Sequence, residues 1–232
     1  MKLKDILQRV QSLYSKGVKS DDSRLTNRHI YNKLLTVRSR LISQEAKKKQ
    51  KISQWNYQVL PCVELELVPP HDCPCVPPLG CKILRTKYKL PEPLTGLNGS
   101  LIQTVSTMDR GIKIDEVTLN AVNAQKGNKY TSKKMNYFLH NGYLYVTSTQ
   151  NLKAISIVAL FEDPIEASQF KGLCDCEDCN NCIDYLEQDF PIDNDLIDAM
   201  IELTINELVI LFSQSQEDQT NNTRDSLREQ SK

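Results

Sequence analysis

Residues 135–161 read M-N-Y-F-L-H-N-G-Y-L-Y-V-T-S-T-Q-N-L-K-A-I-S-I-V-A-L-F, and the fold turns on how this stretch is read. Asn141-Gly142 separates two runs that alternate aromatic or aliphatic residues with polar ones. Asn-Gly is the strongest short-range hairpin signal, because both central residues of a type I′ turn need positive φ. Tyr137, Leu139, Tyr143 and Tyr145 suit a pleated, half-buried surface, and residues 154–161 supply an apolar third strand. The expectation is a small antiparallel sheet, with basic helical sequence before it and acidic helical sequence after it. No catalytic constellation lies on it, which points to a part built into something larger.

Upstream, residues 2–16 place Leu3, Ile6, Leu7, Val10 and Leu13 at helical spacing, with Gly17 as a stop. Ser20-Asp21-Asp22-Ser23 is a polar turn, and Thr26 or Asn27 is placed to cap the next helix. A second apolar stripe, Ile30, Leu34, Leu35, Val37, Leu41 and Ile42, runs to about residue 50 and predicts an αα-hairpin. It ends in Lys47-Lys48-Lys49-Gln50-Lys51, where the helix dipole favours cations and where phosphates could also be touched. Trp55, the only tryptophan, is expected to anchor packing between helix and sheet.

Residues 59–68 alternate well enough for a strand. The following P-P-H-D-C-P-C-V-P-P-L-G-C (69–81) is too rich in proline for helix or central strand. Residues 83–90 read as a basic strand, 91–99 and Asp109-Arg110-Gly111 as turns, and 100–107 as a strand. Residues 111–124 mix strand and helix spacing, and 125–134 form a polar, basic loop. Residues 193–213 make the strongest C-terminal helix, with Asp193, Asn194 and Asp195 at its start. Leu196, Ile197, Met200, Ile201, Ile205, Leu208, Val209 and Leu211 give it a wide apolar face, expected to be buried against the first two helices. Residues 214–232 are polar and of disordered composition. A partner subunit is the natural surface to hold them, with Gln214, Asn221, Arg224 and Arg228 as candidate contacts.

The reading that results is an α+β chain. An N-terminal helical hairpin (1–55) and a C-terminal helix form a bundle, with an inserted antiparallel β-rich domain (56–165). A Cys-rich loop precedes the last bundle helix (166–213), and the polar tail closes the chain.

Eight cysteines fall at 62, at 73, 75 and 81, and at 174, 176, 179 and 182. Cys174, Cys176, Cys179 and Cys182 form C-x-C-x₂-C-x₂-C, and its C-x₂-C pairs have zinc-ligand spacing. A mixed site could add His71, Cys73, Cys75 and Cys81. Structural zinc, disulfides formed on particle maturation, and free thiols are all open to this set, a reducing compartment disfavouring the second. No nearby His/Glu pair would make a metal catalytic, and His29 and His140 read as ordinary structural residues.

A chain of 232 residues is long enough for a real core. It has no 18-residue apolar run, and residues 1–13 are charged and amphipathic, so neither a membrane span nor a signal peptide is expected and the product is expected to be intracellular and soluble. P-loop, G-x-S-x-G, H-E-x-x-H and G-x-G-x-x-G motifs do not occur. The zero net charge conceals a gradient: Lys+Arg against Asp+Glu is 14 to 4 in 1–55, 11 to 7 in 56–159, and 4 to 18 in 160–232. Two solvated helical faces of opposite sign would give this, and so would head-to-tail pairing of copies through heterologous interfaces.

The order of elements resembles a known family. A helical hairpin with I-Y-N-K-L-L-T-V-R-S-R-L-I-S leads to a lone Trp and an extended strand. Next come G-Y-L-Y-V, A-I-S-I-V-A-L-F, an acidic helix and a polar tail. This looks like the head-to-tail adaptor of short-tailed phages (podoviruses). M-K-L-K-D-I-L-Q-R-V-Q-S-L-Y-S-K-G-V-K-S-D-D looks closer still to the ring and connector structural proteins of crAss-like phages. The Cys-rich stretches at 71–81 and 174–182 have no match in the adaptor pattern. The resemblance implies a non-enzymatic virion protein at the portal/tail vertex, assembled in the bacterial host cytoplasm. It implies a dodecameric ring that docks on the portal, meets neighbouring tail rings and continues the channel for packaged DNA, without contact to a membrane. An acidic C-terminal third would then suit a lumen that repels the duplex. The competing expectation is a zinc-bearing nucleic-acid-binding module using the basic helices and the cysteines.

Overall fold

The structure, a computed structural model, describes residues 1–17, 25–48, 52–68, 83–96, 99–118, 121–122, 129–130, 134–148, 152–174 and 184–213. The chain divides into two compact units, Met1–Lys51 with Asp184–Lys232, and Ile52–Ile183.

The second unit is a closed barrel. Its strands are β1 (Gln58–Val68), β2 (Ile83–Thr86), β5 (Ile102–Thr107), β6 (Lys113–Glu116), β7 (Asn136–His140), β8 (Tyr143–Thr147) and β9 (Ala154–Ala159), in the circular order β1-β2-β8-β7-β6-β5-β9. Two short strands, β3 (Thr95–Gly96) and β4 (Gly99–Ser100), pair only with each other. The barrel pairings are antiparallel except β6–β7, where Asp115 lies opposite Asn136 and Glu116 opposite Tyr137 in parallel. A parallel pair needs a crossover, and residues 117–135 provide it.

This closure corrects the expected class. The protein is a mixed α+β chain built on a closed seven-stranded barrel, with four α-helices among the described residues, and is not a helical bundle carrying an inserted antiparallel domain. Alternation marks a segment as a strand but says nothing of which strands meet. Closure and the parallel seam both depend on partners far apart in sequence.

The Asn141-Gly142 turn forms as expected, with φ of 52° and 80°. Its two-residue loop pairs Tyr137 with Val146, Phe138 with Tyr145 and Leu139 with Leu144. Odd positions of β7 therefore share a face with even positions of β8. Tyr137, Leu144 and Val146 join the interior beside Val63, Val105, Ile114, Ile155 and Ile157, with Leu139 packed against them. Phe138 and Tyr145 stack at 5.1 Å on the outer face, in a second cluster with Val68, Ile83 and Val122. The expected grouping of Tyr137, Leu139, Tyr143 and Tyr145 on one surface is thus split between two. Each fully buried aliphatic interior residue contributes about 1.5–3 kcal/mol.

β1 serves two neighbours, β9 through Gln58–Glu64 and β2 through Leu65–Val68. The register slips between Leu60 and Val63, a bulge that accommodates Pro61 in mid-strand. The helix α3 (Pro164–Ser168) is capped by Asp163, whose carboxylate accepts from the amides of Ile165 (2.8 Å) and Glu166 (3.3 Å). Ala167 and Phe170, at and just beyond its end, complete the barrel interior. Gly172 follows, where a Cβ would sit 2.5 Å from the Phe170 ring, so this close turn admits only glycine. At the β5–β6 turn, the Asp109 carboxylate accepts from the Thr107 hydroxyl and the Gly111 amide, which holds its pKa below the usual range.

In the first unit, α1 (Leu3–Tyr14) buries Leu3, Ile6, Leu7 and Val10, and α2 (Asn27–Lys47) buries Ile30, Leu34, Val37 and Ile42. Thr26 caps α2 by accepting from the His29 amide at 3.3 Å. The C-terminal helix α4 (Asn194–Ser213) buries Ile197, Met200, Ile201 and Leu208. The chain before it runs beside the N-terminus: Leu3 N donates to Gln188 O, and Phe190 N to Met1 O, both at 3.0 Å. Arg38 of α2 is fully buried, its Nε donating to Pro191 O at 3.0 Å and its guanidinium lying 5.7 Å from the Phe190 ring centre.

Candidate assembly surfaces

The charge gradient along the chain is folded into ion pairs inside the helical unit. Glu187 accepts from Lys2 Nζ at 2.6 Å and Lys4 Nζ at 3.3 Å, and Arg9 meets Asp198 at 2.8 Å. Glu207 holds Arg40 at 2.7 Å and Lys33 at 3.5 Å. The hydrogen bonds from Lys2 and then Lys4 hold the Glu187 carboxyl below the usual range, and the bond to Glu187 raises the Lys2 ammonium. Each exposed pair adds little stability, and together they take up five of the unit's cations, Lys2, Lys4, Arg9, Lys33 and Arg40. The described residues of this unit carry ten basic side chains, all in 1–48, against ten acidic ones: Asp5, Glu45 and eight in 184–213. In 52–174 the described residues carry nine of each. The two counts balance, so the gradient along the sequence leaves the described residues of each unit without net side-chain charge.

The apolar face of α4 is not wholly covered. Its last turn reads Leu208-Val209-Ile210-Leu211-Phe212, with Val209, Ile210 and Leu211 exposed at 49%, 57% and 48%. The expected burial of Val209 and Leu211 against the first two helices is corrected here. Leu13 is also exposed, and Tyr14 meets the Phe212 ring edge-on at 6.0 Å. Beside this turn lies a groove of about 530 Å³ whose walls are His29, Asn32, Lys33 and Thr36 of α2 and Leu208, Leu211 and Phe212 of α4.

On the barrel unit, the bulge in β1 is held by the segment before the Cys-rich stretch. Val63 bridges Leu173, Glu64 N donates to Gly172 O, and Cys174 N donates to Cys62 O, both bonds at 3.0 Å. Cys62 and Cys174 are joined in a disulfide, with Cα atoms 5.4 Å apart. Cys174 in this state has no thiolate to offer a metal. Spacing could not find its partner 112 residues away. The one local signal was Pro61, which marks a mid-strand irregularity beside Cys62. Next to the disulfide is a shallow groove of about 430 Å³ lined by Glu64, Leu65, Glu66, Lys87, Lys153, Ala154 and Cys174. Lys87 is paired with Glu64 at 2.7 Å, and Arg85 beside the groove with Glu66 at 2.6 Å. Arg85 also lies over the Tyr143 ring at 4.7 Å.

Trp55, expected as a packing anchor between helix and sheet, is 78% exposed. His29 lines the α2–α4 groove, and His140 sits at the β7 end of the hairpin, 6.4 Å from Tyr145. Among the described residues, no group of three or more His, Cys, Asp or Glu is placed to hold a metal. Cys73, Cys75, Cys81, Cys176, Cys179 and Cys182, and the tail candidates Gln214, Asn221, Arg224 and Arg228, lie outside the described residues.

A self-contained barrel and a helical unit ending in an uncovered apolar turn describe a subunit made for assembly. The pattern of the family described as phage tail ring protein 2 matches residues 5–227, and the chain belongs to that family. Ring protein 2 of Bacteroides phage crAss001 is 30% identical over 225 residues, covering 90% of this chain and 91% of that one. The protein is thus a structural ring component of a phage tail, carried in the virion and assembled from repeated copies of itself.

Proposed function

We propose that the protein is a ring subunit of the head–tail connector, present in twelve copies, that docks on the portal and continues the DNA channel into the tail. The observation that carries this reading is the internal cancellation of charge, ten against ten in the helical unit and nine against nine in the barrel unit among the described residues. Retention of duplex DNA rests on Lys and Arg contacts to phosphate. A subunit whose described residues carry no net positive side-chain charge offers the duplex little to hold it. The same balance works against a nucleic-acid-binding module, since five of the ten described cations in 1–48 are already held by carboxylates of the same unit.

The test is the mass of the purified protein by light scattering, alone and mixed with the portal ring encoded by the same genome. Joining at one copy per portal subunit supports the reading. A ring that forms but ignores the portal moves the protein to a lower position in the tail. Binding to duplex DNA is measured alongside, across a range of salt. Tight binding that falls steeply with ionic strength would sink the passage reading and favour the module.

A further inference from the structure

The end of α4 is apolar on every side from Leu208 to Phe212, yet its middle three residues are about half exposed. A helix that is hydrophobic all round is a buried helix, and a run of exposed apolar residues is a fault unless it serves a function. The adjoining groove has one apolar wall, from α4, and one polar, cation-bearing wall, from α2. Such a groove fits an extended, mostly polar segment with one apolar anchor and a carboxylate near it.

The chain carries a segment of that kind. The nineteen residues 214–232, which follow α4 directly, contain Leu227 as their only apolar side chain, with Asp225 two positions before it. The family pattern extends to residue 227, so the region shared across the family takes in this polar stretch and ends on that leucine. We propose that the α2–α4 groove of one copy holds the tail of the neighbouring copy. Leu227 would lie on the wall formed by Leu208, Leu211 and Phe212, with Asp225 near His29 and sharing Lys33 with Glu207, which holds it at 3.5 Å. The proposal rests on the ring reading above. Donor tail and acceptor groove are different surfaces, so the contact is heterologous, the type that generates rings. Residues 214–220 contain no Gly, Pro or Asn, the residues that most readily turn a chain back directly after a helix. That favours reaching a neighbour over re-entering the chain's own groove.

The test uses the full-length chain with a benzophenone amino acid in place of Leu211, assembled from equal amounts of ¹⁴N- and ¹⁵N-labelled protein. Irradiation is expected to join the α4 peptide to the tail peptide, with about half of the products mixed in isotope, as random neighbours in a ring require. Products without tail sequence, or tail products of one isotope only, would overturn the proposal, the latter by placing the tail in its own groove. Leu227→Asp in the full-length chain is expected to lower ring yield roughly tenfold at fixed concentration, while Leu227→Met restores it. Unchanged ring yield in Leu227→Asp also overturns it. Normal rings without tail cross-links sink this inference and leave the ring reading standing, whereas a wild-type chain that forms no ring in any mixture removes both.

Discussion

In the barrel unit, β9 pairs with β1 on one side and β5 on the other, and the neighbours run round until every strand of the barrel has two. Even at the irregular stretch of β1, Glu64 N and Cys62 O find partners in Gly172 and Cys174, with the disulfide beside them. The helical unit is built otherwise. Its interior is closed by Arg38 and the Phe190–Pro191 segment, its rim by ion pairs, and its last helical turn is left uncovered. A closed barrel has no strand edge to offer a neighbour, and the uncovered apolar turn belongs to the other unit. The division of labour is testable, because damage to each unit should register in that unit first.

The largest effect is expected from Arg38→Ala. It empties a fully buried site and strips a charged donor from Pro191 O. The expected loss is about 3–5 kcal/mol. Hydrogen exchange read by mass spectrometry should accelerate in α1, α2 and α4 while β1, β5 and β9 keep their protection. Equal loss in the barrel would mean that the two units unfold as one and would break the comparison. Next comes the disulfide. It closes a loop across a sequence separation of 112, and its removal by reductant or by Cys174→Ser should cost about 2–4 kcal/mol. Here the thermal midpoint of the barrel should fall and exchange should rise around the β1 bulge. A helical unit that loosens equally would blur the distinction.

Gly142→Ala sharpens the barrel side at a smaller scale. A Cβ there meets only ordinary contacts with the Lys89 side chain at 3.7 Å, so the cost is the positive φ of 80°. About 1–2 kcal/mol is expected by urea unfolding. The turn was legible from two residues, because its conformation is local and few side chains tolerate it. What lay beyond local reach was not legible. The two-residue loop inverts the parity of β8 relative to β7, which sent Tyr137 inward and Tyr145 outward, and alternation within either strand cannot reveal that. Barrel closure and the parallel β6–β7 seam join segments whose only common sign is that each could be a strand. The charge gradient was plain in the sequence, but its partner was not. Glu187, Asp198 and Glu207 hold five cations of 1–48 from 167 or more positions away along the chain, which only the packed helices disclose. Trp55 misled because a lone tryptophan is large and apolar enough to read as core wherever it stands.

The smallest expected effect has opposite signs in the two units. Glu187 in the helical unit is held below the ordinary glutamate value, about 4.3, by hydrogen bonds from Lys2 and Lys4. A depressed carboxyl contributes stability that is present above the unfolded value and lost as pH falls through the folded one. Acid therefore loosens the tie between the N-terminus and the segment before α4. Glu162 in the barrel unit is raised, by burial first and by the Glu92 charge second. A raised carboxyl contributes stability that is present below the unfolded value and lost as pH rises through the folded one. Moving down through that window, just above the ordinary value, should therefore tighten the Glu162–Glu92 corner of the barrel. Protection factors, that is exchange corrected for its intrinsic slowing with acid, followed from neutral pH to about pH 3 should fall near residues 1–4 and 187–190 and rise near 92 and 162. Glu187→Gln should flatten the first trend and Glu162→Gln the second. If both regions respond to acid with the same sign, the two units share one electrostatic fate, and the contrast between a self-sufficient barrel and an assembly-ready helical unit must rest on the apolar turn of α4 alone.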